Sequence, residues 1–258
     1  MFFVDENRNV YLGRNAAAKL KVKNDTLFLR QGQGVMEVDT LRWKEAQRYE
    51  RRTWMEGGGL QAREDRNSEH ERQFENYRAI RGCYFGNVIE IGCGPFTNMV
   101  RILRHIRCKK VTLLDPLAKD YLSHPHCVYK RKRLGRWFGK KVNLIAEPVE
   151  NFSTDQMFNL VVMINVLEHC FSVSNVFKRI LSIMPPNGLL VFHSKLVPAS
   201  EVDDFFQNIY DAGHPIRVTE NVILDFLSKN YDELFRKCVP VSTPAYRFDS
   251  IYFIGRKR

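Results

Sequence analysis

Two hydrophobic periods divide the chain. Through residues 1–38 the apolar pieces Phe2-Phe3-Val4, Val10-Tyr11-Leu12 and Leu27-Phe28-Leu29 are short and broken by Asn, Gly and Asp, the pattern of brief β-strands. Over 39–56 the period lengthens: Trp43, Ala46, Tyr49 and Thr53 fall on one face among charges, which predicts an amphipathic helix ended by Glu56-Gly57-Gly58-Gly59. Ser68-Glu69-His70-Glu71 has capping-box spacing and opens a second helix, with Phe74 and Tyr77 on its apolar face.

From residue 87 apolar strands alternate with amphipathic helices. Asn87–Ile91 reads as a strand and is followed by a helix carrying Met99, Ile102, Leu103 and Ile106. Val111–Leu114, Val142–Ala146 and the wholly apolar Leu160–Ile164 are further strands, and Val173, Val176, Phe177, Ile180 and Leu181 mark the next helix. Pro185-Pro186-Asn187-Gly188 turns that helix into the strand Leu189–Phe192. Helices around 200–210 and from Thr219 to Leu227, then strands near Phe235–Val241 and Ser250–Ile254, complete the pattern. Buried strands separated by helices imply an α/β fold, a mostly parallel, doubly wound sheet covered on both faces. Ligands of such sheets bind beyond the carboxyl ends of the strands, at the switch point.

The chain of 258 residues is long enough for one large α/β domain with an extension, or for two small domains. Its 44% apolar and 27% charged residues describe ordinary globular chemistry. No apolar run approaches the roughly 20 residues of a membrane-spanning helix. The start, Met1-Phe2-Phe3-Val4-Asp5-Glu6-Asn7, lacks the basic region of a signal peptide. The six cysteines, at 83, 93, 108, 127, 170 and 238, form no CxxC pair, which points to reduced thiols and a cytoplasmic protein. A net charge of +11 favours anionic partners without identifying one, and a solvated basic surface accounts for it equally well.

The strand at 87 ends in Glu90-Ile91-Gly92-Cys93-Gly94-Pro95, where glycines permit a sharp turn and a close ligand approach. Asp115, 21 positions after Gly94, follows the next strand in Leu113-Leu114-Asp115-Pro116, a place from which a carboxylate accepts bonds from ribose hydroxyls. Each feature alone is also explained by a turn or a cap. A dinucleotide needs a third loop glycine under its pyrophosphate, and Thr97 stands there instead. A sulfonium cofactor has no phosphate, and Glu90 adds negative charge suited to a cation.

Taken in order, Val88–Phe96, Leu114-Asp115-Pro116-Leu117, Ala146-Glu147, Phe158–His169 and the turn Pro185-Pro186-Asn187-Gly188 make the chain resemble the class I S-adenosylmethionine-dependent methyltransferases over about residues 85–256. The resemblance implies a seven-stranded, Rossmann-like sheet over 81–258, with residues 1–80 as a β-rich then helical extension over the substrate pocket. It implies S-adenosylmethionine as cofactor, with Gly92, Cys93 and Gly94 at the methionyl part and Glu90 nearby. Asp115 and Pro116 would lie at the ribose, Ala146 and Glu147 beside the adenine, and Asn165 and Val166 along the cofactor. Two positions depart from the family. Phe96 stands where glycine is frequent, and Ile145 where an acid is frequent; Glu147 is the substitute acid, or else a surface residue before Pro148.

His169, after Asn165-Val166-Leu167-Glu168, is the candidate base for a hydroxyl or amine nucleophile, its alternative being to orient the loop. Methyl transfer proceeds by in-line positioning and requires no base. His193 and His214 are weaker candidates; His214 sits in a turn-like stretch within reach of the pocket. Residues 130–141 hold seven basic residues and no acid, with Trp137 and Phe138 interleaved. Lys132, Arg133, Arg136 and Trp137 there either grip an anionic substrate or phosphate backbone, or form a solvated connection. His124-Pro125-His126-Cys127 is too tightly spaced for a metal shell, so no metal is expected.

The reading is a methyltransferase acting on a small or medium-sized acceptor, its pocket lined by Trp43, Trp54 and Tyr77. The alternatives are a nucleic-acid methyltransferase using the basic segment and a non-catalytic cofactor-binding partner protein. No Asn/Asp-Pro-Pro-Tyr/Phe run, the mark of enzymes that methylate base amino groups, is present.

Overall fold

The strands expected from residue 87 onward pair into one seven-stranded sheet in a computed structural model of the chain. The structure describes residues 34–56, 66–130, 142–198, 212–240 and 248–258, together with the backbone of Lys141 and of four N-terminal strands. Those strands are β1 (Phe2–Val4), β2 (Val10–Leu12), β3 (Lys19–Val22) and β4 (Asp25–Arg30). They confirm the β-rich start. β5 (Gly34–Glu37) follows, then the helices α1 (Thr40–Met55) and α2 (Asn67–Gln73).

The large sheet is built from β6 (Tyr84–Ile91), β7 (Arg107–Leu114), β8 (Lys141–Ile145), β9 (Leu160–Ile164) and β10 (Leu189–Leu196). After β11 (Arg217–Val218), the strands β12 (Tyr231–Val239) and β13 (Asp249–Lys257) join it. The order is β12-β13-β10-β9-β6-β7-β8. Strands β8 to β10 in that order are mutually parallel, and β13 runs antiparallel to both its neighbours. The order reverses between β6 and β9, which opens a crevice at their carboxyl ends.

Alternate residues of the strands enter two cores, one on each face. The short helices α3 (Met99–Ile102) and α4 (Ala118–Tyr121) follow β6 and β7, and Ile89, Val161, Met163, Phe192 and Phe253 pack under α5 (Val173–Ile183) and α6 (Glu220–Asn230). Ser172 caps α5 by accepting from the Asn175 amide, and Phe177 stacks on Phe226 at 3.8 Å. Val88, Val162, Val191 and Ile254 face the other way, onto Phe74, Tyr77, Met99 and Ile102. β9 is buried throughout, which explains its unbroken apolar run.

The N-terminal region is stitched to this domain. β5 pairs with β11, and the Val38 amide donates to the Phe171 carbonyl at 3.0 Å. Several local expectations shift. The helix expected over 99–106 is only α3 (Met99–Ile102), after which Arg104 and His105 tighten into i→i+3 bonds while Leu103 and Ile106 stay buried. The Ser68 capping box does not form: α2 starts one residue earlier, and Glu71 instead holds His105 at 2.6 Å. The inner face of α1 is rotated from the expected one, because Tyr49 is exposed while Ala46 is fully buried. Helices expected around 200–210 lie outside the described residues. No described helix is long and apolar enough to cross a membrane.

Candidate functional site

The crevice is shaped first by two glycines. At the end of β6 the chain turns over β7: the Gly92 amide donates to the Leu114 carbonyl at 2.7 Å, with Gly92 and Gly94 at φ +67° and +51°. A Cβ on Gly92 would lie 2.3 Å from Val166 Cγ2, so glycine is required there sterically as well as conformationally. A Cβ on Gly94 would meet nothing within 4 Å, so its backbone faces open space.

Two buried carboxylates hold this loop. Asp115 accepts from the Gly94 amide at 2.9 Å and from the Leu117 amide at 2.8 Å, tying the glycine turn to the end of β7. Desolvation pushes its carboxyl up to about 6, against the lowering effect of those two amides and of His169. Glu90 accepts from the Thr97 hydroxyl, from the Asn98 amide at 2.8 Å and from the Met99 amide at 3.3 Å. Burial raises it to about 7, those bonds notwithstanding. Thr97, at the place of a third glycine, takes φ +35° and turns its hydroxyl into Glu90.

Across the crevice β9 is followed by Asn165, at φ +59°, whose amide donates to the His193 carbonyl at 3.1 Å. One turn further, His169 has its backbone carbonyl bound by Trp43 Nε1 at 3.1 Å and Gln47 Nε2 at 3.3 Å. Its Nδ1 lies 3.1 Å from the Gly213 carbonyl and 3.7 Å from Glu50 Oε1. Glu50 Oε2 accepts from Trp54 Nε1 at 3.1 Å. The departure at Phe96 acquires a purpose here, because its ring takes the edge of Trp54 at 5.8 Å and so docks α1 on the glycine loop.

The resulting pocket holds about 720 Å³ of empty space, its open mouth included. Trp43, Gln47, Glu50 and Trp54 from α1 form its roof. Gly92, Gly94, Asp115, Pro116, Glu147, Asn165, Val166 and His169, all expected at the site, line it. Three expected cofactor residues do not. Glu90 is buried beneath the loop with its oxygens satisfied by the 97–99 turn, so it positions that loop and offers no charge to a ligand. Cys93 points away toward the Tyr129 hydroxyl at 3.7 Å. Ala146 is likewise absent from the lining, whereas Ile145 packs against the core and its carbonyl receives the Asp115 amide at 3.1 Å.

Tyr77, expected in the pocket, is instead fully buried beside Phe74 at 5.2 Å, on the far face of the sheet. His214 lies outside the lining but packs against His169, ring centroids 4.5 Å apart. His193 is buried beside His70 and Tyr252 and held well below its ordinary value by desolvation. Lys132, Arg133, Arg136 and Trp137 lie outside the described residues.

Gln47, Glu50, Leu117, Tyr121, Glu150 and Cys170 were not expected at the pocket. The helical spacing 43-47-50-54 was the available signal, hidden because a face that covers a polar pocket is not apolar. Glu150 left no local signal: its carboxylate accepts from the Phe171 amide at 2.6 Å and the Ser172 amide at 3.2 Å, far from it in sequence. Contrary to the absence of a metal-ligating group in the sequence reading, Glu50, His169 and His214 present ligand atoms all within 4.8 Å of one another.

Residues 46–225 match the family described as "Methyltransferase domain". The Nodulation protein S of Sinorhizobium fredii (strain NBRC 101917 / NGR234) is 28% identical over 115 residues, 43% of this chain and 48% of that protein. The match thus spans about half the length of that relative. Among solved structures, the N-methyltransferase NodS from Bradyrhizobium japonicum WM9 in complex with S-adenosyl-L-homocysteine has a TM-score of 0.52 at 21% identity, covering 74% of this chain and 85% of that one. The Burkholderia thailandensis 1,6-didemethyltoxoflavin-N1-methyltransferase has a TM-score of 0.58 at 14% identity, covering 92% and 96%. With the glycine turn, the acid after β7 and the reversed strand order, the family match over most of the length identifies the chain as a member of the methyltransferase-domain family with the class I, S-adenosylmethionine-dependent fold.

Proposed function

We propose that this S-adenosylmethionine-dependent methyltransferase holds its cofactor across the β6–β9 switch point and methylates a small or medium-sized acceptor beneath α1. The observation that carries this reading is the pocket itself: bare Gly92 and Gly94 backbone, Asp115 and Asn165 converge under a roof of Trp43, Gln47, Glu50 and Trp54. The methionyl part lies along Gly92–Gly94, the ribose at Asp115, whose oxygens keep lone pairs beyond their two amide bonds, and the adenine near Glu147. The acceptor enters at the Glu50–His169 end, where its nucleophile lines up with the methyl carbon and the departing sulfur. Within the N-terminal 80 residues α1 acts as the cover of the pocket, with 81–258 as the cofactor domain.

Glu50, Asp115, Glu147 and Glu150 line this pocket, and no lysine or arginine is among its described lining residues. That lining favours a neutral or cationic acceptor over the anionic one expected from net charge, and speaks against nucleic acid. A nitrogen nucleophile agrees with the activities named for the NodS and toxoflavin enzymes. Cys93, Cys127 and Cys170, buried and in no disulfide, suit a reducing compartment, the cytoplasm.

Calorimetry with S-adenosylhomocysteine tests the assignment. The wild type binds, and Asp115→Ala weakens binding at least about tenfold, the scale of 1.4 kcal/mol. A wild-type protein that binds none refutes it.

A further inference from the structure

We propose that Glu50, His169 and His214 form a site for a divalent transition-metal ion at the acceptor end of the pocket. The inference rests on the reading of the pocket as the cofactor site for its placement, but the ligand set is independent of it.

The three side chains come from α1, from the turn after β9 and from the 212–216 loop, and their ligand atoms already lie within 4.8 Å of one another. Bonds of roughly 2.0–2.2 Å to zinc require these atoms to draw in by an ångström or so, the kind of closure a bound ion imposes on half-buried side chains. Two of the three ligands have support from outside the set. Trp54 Nε1 binds Glu50 Oε2 at 3.1 Å, leaving Oε1 turned toward His169. His169 Nδ1 donates to the Gly213 carbonyl at 3.1 Å, which leaves Nε2 as its ligating nitrogen, and Trp43 and Gln47 grip the His169 backbone. Ligating imidazoles and carboxylates are characteristically held by such outer contacts.

The backbone is shaped to bring the three together. A Cβ on Gly213 would lie 2.5 Å from Glu50 Oε1, so glycine lets the 212–216 loop approach α1 without displacing the Glu50 carboxylate. Arg42 clasps the same loop through the Ala212 carbonyl at 3.1 Å. Behind the imidazoles Glu168 is buried with neither carboxylate oxygen hydrogen-bonded, Lys195 standing 3.7 Å away.

Two imidazoles and one carboxylate select zinc, cobalt, manganese or iron over magnesium and calcium, which take oxygen ligands. Three protein ligands leave a position for an acceptor hydroxyl. Coordination there lowers the pKa of that group, its proton passing to solvent. The freed lone pair attacks the methyl carbon as the carbon–sulfur bond breaks, and the electron pair stays on sulfur to give neutral S-adenosylhomocysteine.

The test is calorimetric titration of the metal-stripped full chain with Zn²⁺ and with Mg²⁺, with Co²⁺ followed by visible absorption. The expected result is one equivalent of Zn²⁺ bound at micromolar affinity or tighter, no saturable Mg²⁺ binding, and Co²⁺ bands of a low-coordinate site. Glu50→Gln and His214→Ala should each weaken Zn²⁺ binding more than about tenfold, the outer-contact losses alone reaching that scale. S-adenosylhomocysteine binding by His214→Ala, whose side chain lies outside the pocket lining, shows that this variant is folded; Glu50→Gln supplies the second arm. Zn²⁺ binding that is absent from the wild type, or equal in both variants, overturns the site. A protein that binds Zn²⁺ at these residues but no S-adenosylhomocysteine refutes the cofactor reading and leaves the metal site standing.

Discussion

Gly92→Ala places the heaviest demand on the glycine turn. The position has φ +67°, where an alanine costs about 1–2 kcal/mol from its Cβ alone. That Cβ also lands 2.3 Å from Val166 Cγ2 and 2.5 Å from Cγ1, more than an ångström inside normal carbon contact. Val166 has little freedom to retreat, because Asn165 before it is already at φ +59° and bonded to the His193 carbonyl. Overpacking of this kind costs about 1–3 kcal/mol. The sum, about 2–5 kcal/mol, lowers the melting temperature by roughly 4–20 °C at this chain length. Because Val166 is part of the pocket wall, S-adenosylhomocysteine affinity should fall about 10–100-fold, equivalent to about 1.4–2.8 kcal/mol. Val166→Ala removes both offending methyl groups and leaves only its Cβ, 3.0 Å away. The double variant should therefore recover part of the loss, with a coupling of at least about 1 kcal/mol. Thermal denaturation and calorimetry on the four proteins of the cycle measure this. Wild-type stability and affinity in Gly92→Ala, or strictly additive losses in the double variant, would refute the reasoning.

Three further outcomes are expected. Asp115 titrates near 6 in the free protein, and cofactor hydroxyls donate to its ionised form, so S-adenosylhomocysteine affinity should fall up to about tenfold per pH unit below that value; Asp115→Asn should bind more weakly with this slope removed, as calorimetry from pH 7 to 5 would reveal. Glu90 is raised from 4.5 to about 7, so the native state keeps a proton that the unfolded chain has released. Its contribution therefore makes stability decline as pH rises between those values, by at most about 3 kcal/mol. Urea midpoints against pH should show the decline, and Glu90→Gln should flatten it while lowering the plateau, since an amide accepts fewer of the Thr97–Met99 donors; an undiminished decline would count against the assignment. Trp54→Ala removes both the edge contact to Phe96 and the donor to Glu50, and should weaken S-adenosylhomocysteine about tenfold. Trp54→Phe should restore only part of this, and equal affinity in all three proteins would mean that α1 does not close the site.

The sequence by itself determined the sheet and one wall of the pocket. Parallel strands buried on both faces, such as Leu160–Ile164, must be apolar throughout, so they stand out without tertiary information. The same holds for Gly92, Gly94 and Asp115, because a turn at positive φ and the acid that anchors it lie at strand ends fixed by local pattern. Tertiary structure alone added Gln47 and Glu50 to a roof for which the sequence had offered Trp43 and Trp54, and it decided the roles of several acids. The inner face of α1 covers a polar crevice, so its Trp43, Gln47, Glu50 and Trp54 carry no apolar stripe, and the apolar reading selected the exposed Tyr49. Glu90 and Glu150 look alike in sequence as acids near strand ends. One is closed off beneath the glycine loop and the other opens on the pocket, a difference set by which distant amides they reach. Glu50, His169 and His214 are separated by more than a hundred residues at their ends, and only the docking of α1 and the 212–216 loop on the turn after β9 brings their charges and lone pairs to one point.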